Sequence, residues 1–323
     1  MIERWLIVLA SALVFLPIAA PAQEDKPKTV QREEDVIYGR KYGTALTLDV
    51  FRPESPNGVG IIHVVSGGWY SAHEAINQGF VQPFLDRGYT VFAVVHGSQP
   101  KYTIPEVLED MHRAVRYIRH HAKDYDVDPE KLGIYGGSAG GHLSLMQGTA
   151  GNDGNAQAKD EIDRESSRVA AVACFFPPTD FLNYGKEGEV AIGGGTLKDF
   201  RAPFDFHELM PNSVQPGRKG TFVPITDEAK VLAIAKAISP KYHASSDDPP
   251  TLIIHGNADF LVPIQQAELM VEALKTNGVE AELVVREGAG HGWAKLGEDL
   301  TLFGDWFDKH LRGAETKEDA KEK

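Results

Sequence analysis

Ser138 lies in the stretch "GIYGGSAGGHLSLM", between Gly136-Gly137 and Ala139-Gly140-Gly141. Glycine inside a regular strand or helix costs roughly 0.5–1 kcal/mol relative to alanine, so this clustering marks backbone bent where side chains do not fit. Residues 136–140 satisfy G-x-S-x-G, with a strand-like run "KLGIYG" before them and a helix-like run "GHLSLMQ" after them. In that context the pattern describes a strand-to-helix turn that lifts the serine Oγ above the end of a sheet, beside a helix start that favours negative charge. The chemistry would be nucleophilic attack by Ser138. The plain alternative is a βα turn merely tightened by glycine.

A serine hydroxyl needs a base, and the base needs a carboxylate to hold its tautomer. Asp259, in "HGNADFLVP", follows the strand-like "TLIIH", and His291, in "EGAGHGW", follows "AELVVRE". Loops after the carboxyl ends of parallel strands share one crevice, so Ser138, Asp259 and His291 can meet in that order along the chain. Taken singly, Asp259 could cap the following helix and His291 could bond to backbone. Of the other histidines, His63 sits inside a strand, His255 precedes the aspartate, and His96 follows a strand. Attack on a carbonyl also develops charge on oxygen, and fixed N–H donors aimed there are worth on the order of 3–4 kcal/mol. The "VVSGGWY" loop offers Gly67 and Gly68 for this, joined by the N–H of Ala139, unless it is an ordinary glycine turn. Trp69 and Tyr70 are expected to line the substrate.

These positions require a particular frame. Short β-rich runs, "TALTLDVF", "GIIHVV", "TVFAVV", "KLGIYG", "VAAVACFF", "TLIIH" and "AELVVRE", alternate with helical patterns. With a strand near Asp35 to Tyr38 they make about eight strands, in an α/β fold whose mostly parallel sheet is covered by helices on both faces. The clearest helix is "IPEVLEDMHRAVRYIRHHA", with apolar residues at three- and four-residue spacing; "IQQAELMVEALKTNG" and "LFGDWFDKHL" follow later. Residues 181–237 break the rhythm with glycines, prolines and aromatics, the pattern of a lid-like insertion over the sheet. Gly193-Gly194-Gly195 lies there without a strand before it, which argues against a phosphate loop. Asp180 follows a strand and is read as a turn residue or a pocket residue.

The chain has 323 residues, of which 42% are hydrophobic, enough for one large core. A net charge of −13 with no basic block excludes nucleic acid and anionic membrane surfaces as expected partners. The start "MIERWLIVLASALVFLPIAAPAQ" carries an apolar run and an A-x-A site, so residues 1–22 read as a signal peptide and the mature chain as exported, periplasmic or secreted. An uncleaved anchor is the alternative. The catalytic domain is then expected over 23–312, with a disordered charged tail over 313–323. Cys174 stands alone, which forbids an internal disulfide, and no metal-ligand spacing is readable. No cofactor and no metal are expected. His120-His121 reads as a solvated helix face.

The motifs "SGGW", "GGSAGGHLSLM", "HGNADFLVPIQQ" and "GAGHGW" resemble the α/β-hydrolase superfamily, in particular the hormone-sensitive-lipase-like and feruloyl/acetyl-esterase-like carboxylesterases, from about Val30 to Leu311. The resemblance implies an α/β-hydrolase fold and a serine esterase acting on short or modest acyl esters, small-molecule or glycan, with acetyl and feruloyl esters of carbohydrate as the family-level expectation. Members carry His-Gly-Gly-Gly-Trp where this chain has Val65-Ser66-Gly67-Gly68-Trp69. The family's two donor glycines map onto Gly67 and Gly68, while the histidine that supports the loop is missing. A serine exopeptidase of the same fold and a catalytically silent binding relative are the other readings.

Overall fold

The computed structural model describes residues 30–210 and 220–312; the expected signal peptide of residues 1–22, residues 211–219 of the expected insertion and the expected tail of residues 313–323 lie outside them. A single eight-stranded sheet organises the rest. Its strands are β1 (Gln31–Lys41), β2 (Thr44–Arg52), β3 (Gly60–Val64), β4 (Thr90–Val95), β5 (Leu132–Gly137) and β6 (Ala171–Phe175). A separate hairpin, β7 (His207–Met210) with β8 (Thr221–Pro224), precedes the last two, β9 (Thr251–Gly256) and β10 (Ala281–Arg286). The spatial order is β1-β2-β4-β3-β5-β6-β9-β10. β2 runs antiparallel to β1 and β4, and every pair from β4 to β10 is parallel.

The helices are α1 (Gln78–Leu85), α2 (Ile104–His120), α3 (Ala139–Ala150), α4 (Glu228–Ala237), α5 (Gln265–Thr276) and α6 (Leu300–Phe307). Strand alternation assigns them to faces. Ile62, Phe92 and Val94 point into the core shared with α2, α3 and α5, whereas Ile61, Val91 and Ala93 point into the core shared with α1 and α6. Central strands buried on both faces read as unbroken apolar runs, which is why their alternation is invisible in sequence. Near its C-terminus α6 loosens into a π turn, Asp308–Arg312, where an amphipathic helix over 302–311 is expected. β1 is longer than expected because its outer face is solvated and its pairing with β2 carries it from Gln31 to Lys41.

Inside the frame, burial acts on charge. Burial pushes the imidazoles of His63, His96, His112 and His142 down to about 4 and the Asp110 carboxyl up to about 6. As pH falls from 6.5 towards 4 the unfolded chain takes up four protons on these histidines that the native chain refuses, while native Asp110 takes up one early. The unfolded state therefore binds more protons, and stability falls with falling pH. Unfolding free energy, measured by urea titration, should be level between pH 7 and 8 and drop below pH 6.5 with a slope on the order of 4 kcal/mol per pH unit. A flat profile from pH 7 to 5 would mean that these histidines are not buried as neutral rings.

Candidate active site

At the end of β5 the chain reverses through Ser138, at φ 53° and ψ −120°, before entering α3. Such a conformation is uncommon for a residue with a side chain, and it holds Oγ out of both elements. The Ser138 N–H donates to the Phe175 carbonyl of β6 at 3.0 Å. Two glycines make the turn possible by close approach: a Cβ on Gly136 would lie 2.5 Å from the Gly140 carbonyl carbon, and one on Gly140 would lie 2.8 Å from the Val64 carbonyl oxygen.

The three sequence-predicted residues come together. His291 Nε2 is 3.0 Å from Ser138 Oγ, and His291 Nδ1 is 2.7 Å from Asp259 Oδ2. Asp259 is buried, and its other oxygen accepts the N–H groups of Leu261 and Val262, each at 2.9 Å. Burial raises its pKa, but hydrogen bonds from His255, His291 and the Val262 backbone outweigh that, holding the carboxyl well below the usual carboxylate range. The carboxylate is thus ionised wherever the imidazole needs an anion. His255 does not compete as a base: it is buried, and its Nε2 lies 2.8 Å from the Val262 carbonyl and 3.4 Å from Asp259 Oδ2.

The loops after β9 and β10 are laced together, which fixes the separation of Asp259 and His291. Ala258 N–H donates to the Ala289 carbonyl at 2.9 Å, and Gly288 N–H to Asn257 Oδ1 at 2.7 Å. Asp299 accepts both Trp293 Nε1–H, at 2.7 Å, and Arg286 Nε–H, at 3.0 Å. Phe176, at φ 35°, walls the imidazole with ring centroids 4.4 Å apart.

The loop opposite differs from expectation in two places. Gly67 N–H donates to the Tyr70 carbonyl at 3.0 Å, closing a tight turn, and so is not available to an oxyanion. Among the described residues the N–H groups of Gly68 and Trp69 have no acceptor, and Ala139 N–H stands free at the start of α3. The unpaired N–H groups are therefore those of Gly68, Trp69 and Ala139, whereas the expected donors were Gly67, Gly68 and Ala139. Trp69 also differs. Its ring is 2% exposed, and its Nε1–H donates to His142 Nδ1 at 3.2 Å, because Phe181 and Phe204 enclose it from the insertion. It props the loop from below, so it does not line substrate, whereas Tyr70 is 55% exposed.

The insertion reaches both sides of the cleft. Tyr184 Oη and Thr196 Oγ1 donate to the Leu261 carbonyl, at 3.0 and 3.2 Å, two residues after Asp259. Phe200 lies so close to Gly68 that a Cβ there would overlap its ring. Neither Phe200 nor His142 was legible as a site residue, since each depends on a contact made across the fold. Asp180 is a structural turn residue: it is buried and holds Lys241, Tyr242 and Asn183.

The match of a family model over residues 48–274, with the description BD-FAE, decides the relationship. The chain belongs to the BD-FAE family. A dienelactone hydrolase family model also matches residues 229–322. The chain is similar to the probable carboxylic ester hydrolase LipM of Mycobacterium tuberculosis, 28% identical over 75% of this chain and 51% of that protein. It spans about half the length of the curated relatives LipM and LipQ. Among solved structures it resembles a truncated carbohydrate esterase from gut microbiota, with a TM-score of 0.64 at 25% identity over 86% of this chain and 97% of the other. The Est2 esterase of Thermogutta terrifontis superposes with a TM-score of 0.64 at 26% identity over 90% and 95% of the two chains. The fold is that of the α/β-hydrolases.

The shifted donor set makes a paired prediction. Gly67→Ala adds a Cβ that meets nothing within 4 Å, so ester hydrolysis should stay within several-fold of the parent. Gly68→Ala combines a φ of +56° with the Phe200 ring and should displace its N–H, lowering kcat roughly 10²-fold with KM little changed. Equal losses in the two variants, read by steady-state kinetics on a p-nitrophenyl ester, would return Gly67 to the donor set.

Proposed function

We propose that this BD-FAE family chain is an exported serine carboxylesterase that hydrolyses short or modest acyl esters, of small molecules or glycans, through an acyl-enzyme. The observation that carries the reading is the line from Ser138 Oγ through His291 to ionised Asp259, with the N–H groups of Gly68 and Trp69 in the glycine loop and of Ala139 at the nucleophile turn left unpaired. Ser138 Oγ attacks the ester carbonyl carbon as its proton passes to His291 Nε2. The carbonyl oxygen takes the negative charge, and Gly68, Trp69 and Ala139 donate to it. As the C–O bond to the alcohol breaks, His291 returns the proton to the leaving oxygen. Water then adds to the acyl carbon with His291 again as base, and the carboxylic acid leaves as the proton goes back to Ser138. Asp259 orients the imidazole and stabilises its cationic form throughout.

Preference for a small acyl group follows from Phe200 against Gly68 and Phe176 against His291, which crowd the space around the donors. The structural neighbour described as a carbohydrate esterase supports glycan esters as substrates, and Est2 is known with propionate bound. Export rests on the apolar N-terminal run and its A-x-A site.

Ser138→Ala should fold with an unchanged melting temperature and lose p-nitrophenyl acetate hydrolysis to near background, and fluorophosphonate should label the parent but not the variant. A panel of acetyl, butyryl and octanoyl esters, with acetylated xylo-oligosaccharides, should show the shortest acyl group fastest. A Ser138→Ala variant retaining a tenth or more of the parent rate would overturn the reading.

A further inference from the structure

The loop of residues 65–71 is carried by the end of β4 and the segment that follows it. Val65 N–H donates to the Val94 carbonyl, and Ser71 Oγ–H donates to the Val65 carbonyl at 2.6 Å while accepting His96 N–H at 3.2 Å. Gln99 binds the loop twice, its backbone N–H to the Trp69 carbonyl at 3.2 Å and its Nε2 to the Gly68 carbonyl at 3.1 Å. In a trans peptide the N–H points opposite to its carbonyl, so the hold on the Gly68 carbonyl turns the Trp69 N–H the other way.

One side-chain bond joins the near side of the loop to the same segment. His96 Nδ1 lies 2.8 Å from the Gly97 carbonyl, which can only accept, so Nδ1 carries the proton. His96 Nε2 is then a bare lone pair, and Ser66 Oγ lies 2.8 Å from it as donor. The ring cannot drift, because it is buried and the Gly97 N–H is held by Asp110 Oδ2 at 2.9 Å, the carboxylate that also pairs with Lys41 at 2.7 Å. The Ser66 carbonyl in turn packs on Gly140, where a Cβ would come within 3.3 Å of it, beside the nucleophile turn.

We propose that Ser66 and His96 are positioning residues that set the Gly68 and Trp69 N–H donors against Ser138, an assignment that rests on the esterase reading above. Neither touches substrate. Ser66 ties the start of the loop to buried His96, Gln99 ties its far side, and the two free N–H groups lie between these ties. Removing the Ser66 hydroxyl leaves the fold intact but lets the donors relax from the place where the oxyanion forms, a penalty that is felt in the transition state more than in the bound ester.

The test uses the full chain with Ser66→Ala, His96→Gln and the double variant, compared by steady-state kinetics on p-nitrophenyl acetate and by inhibition with a trifluoromethyl ketone, whose hemiketal oxygen occupies the donor site. Ser66→Ala should lower kcat about tenfold with KM within twofold, and weaken the ketone by the same factor. The double variant should be no slower than the slower single one, because both remove one bond. If His96→Gln fails to fold, Ser66→Ala alone decides. A Ser66→Ala kcat within twofold of the parent, or a rise in KM alone, overturns the proposal. Ser138→Ala separates the two levels: full dependence on Ser138 with an unaffected Ser66→Ala sinks only the positioning role, whereas activity that survives Ser138→Ala sinks the esterase reading as well.

Discussion

The backbone reversal at Ser138 is the constraint on which the site depends. A residue with a side chain at φ 53° costs on the order of 1–3 kcal/mol, and it persists only where its surroundings over-determine it. Here the strand before it and the helix after it cross so closely that Gly136 and Gly140 cannot carry a Cβ. The same crossing presses Gly140 against the carbonyls of Val64 and Ser66, so the turn that lifts the hydroxyl also sets how near the donor loop can come. A parallel sheet with β3 directly beside β5 is what brings these segments into contact.

Charge is arranged to suit that geometry. Asp259 is the buried acid at the site, and its anion is stabilised by two backbone N–H groups and two imidazoles, so burial does not neutralise it. The opposite loop carries unpaired peptide N–H groups and the uncharged Ser66–His96 pair. In the proposed reaction, an anion developing on oxygen would meet donors that are already oriented and need not reorganise. The insertion then spans from the Leu261 carbonyl, beside the acid, to Gly68, beside the donors, so one segment borders both halves of the site.

The meeting of Ser138, Asp259 and His291, in that order along the chain, was legible because each residue follows an apolar run at the same end of a parallel sheet, and that rule needs no coordinates. The eight strands and the long helices were legible for the same reason, from runs and spacings that are local. What escaped was everything set by contacts between distant segments. Trp69 reads as an exposed aromatic beside a nucleophile, but Phe181 and Phe204 arrive from more than a hundred residues away to bury it. Gly67 and Gly68 are alike in sequence, and only the turn to Tyr70 decides which N–H is spent.

His96 shows the division most clearly. Its position just after β4 is visible in the sequence, at the same sheet end as the triad residues, yet its bond to Ser66 exists because the sheet sets β4 beside β3. Residue types and spacing determined that Ser138, His291 and Asp259 would meet, because each is a property of one strand end. Tertiary structure decided which amides are free, which aromatics are buried and what holds the donor loop, because hydrogen-bond acceptors and packing partners are supplied across the fold.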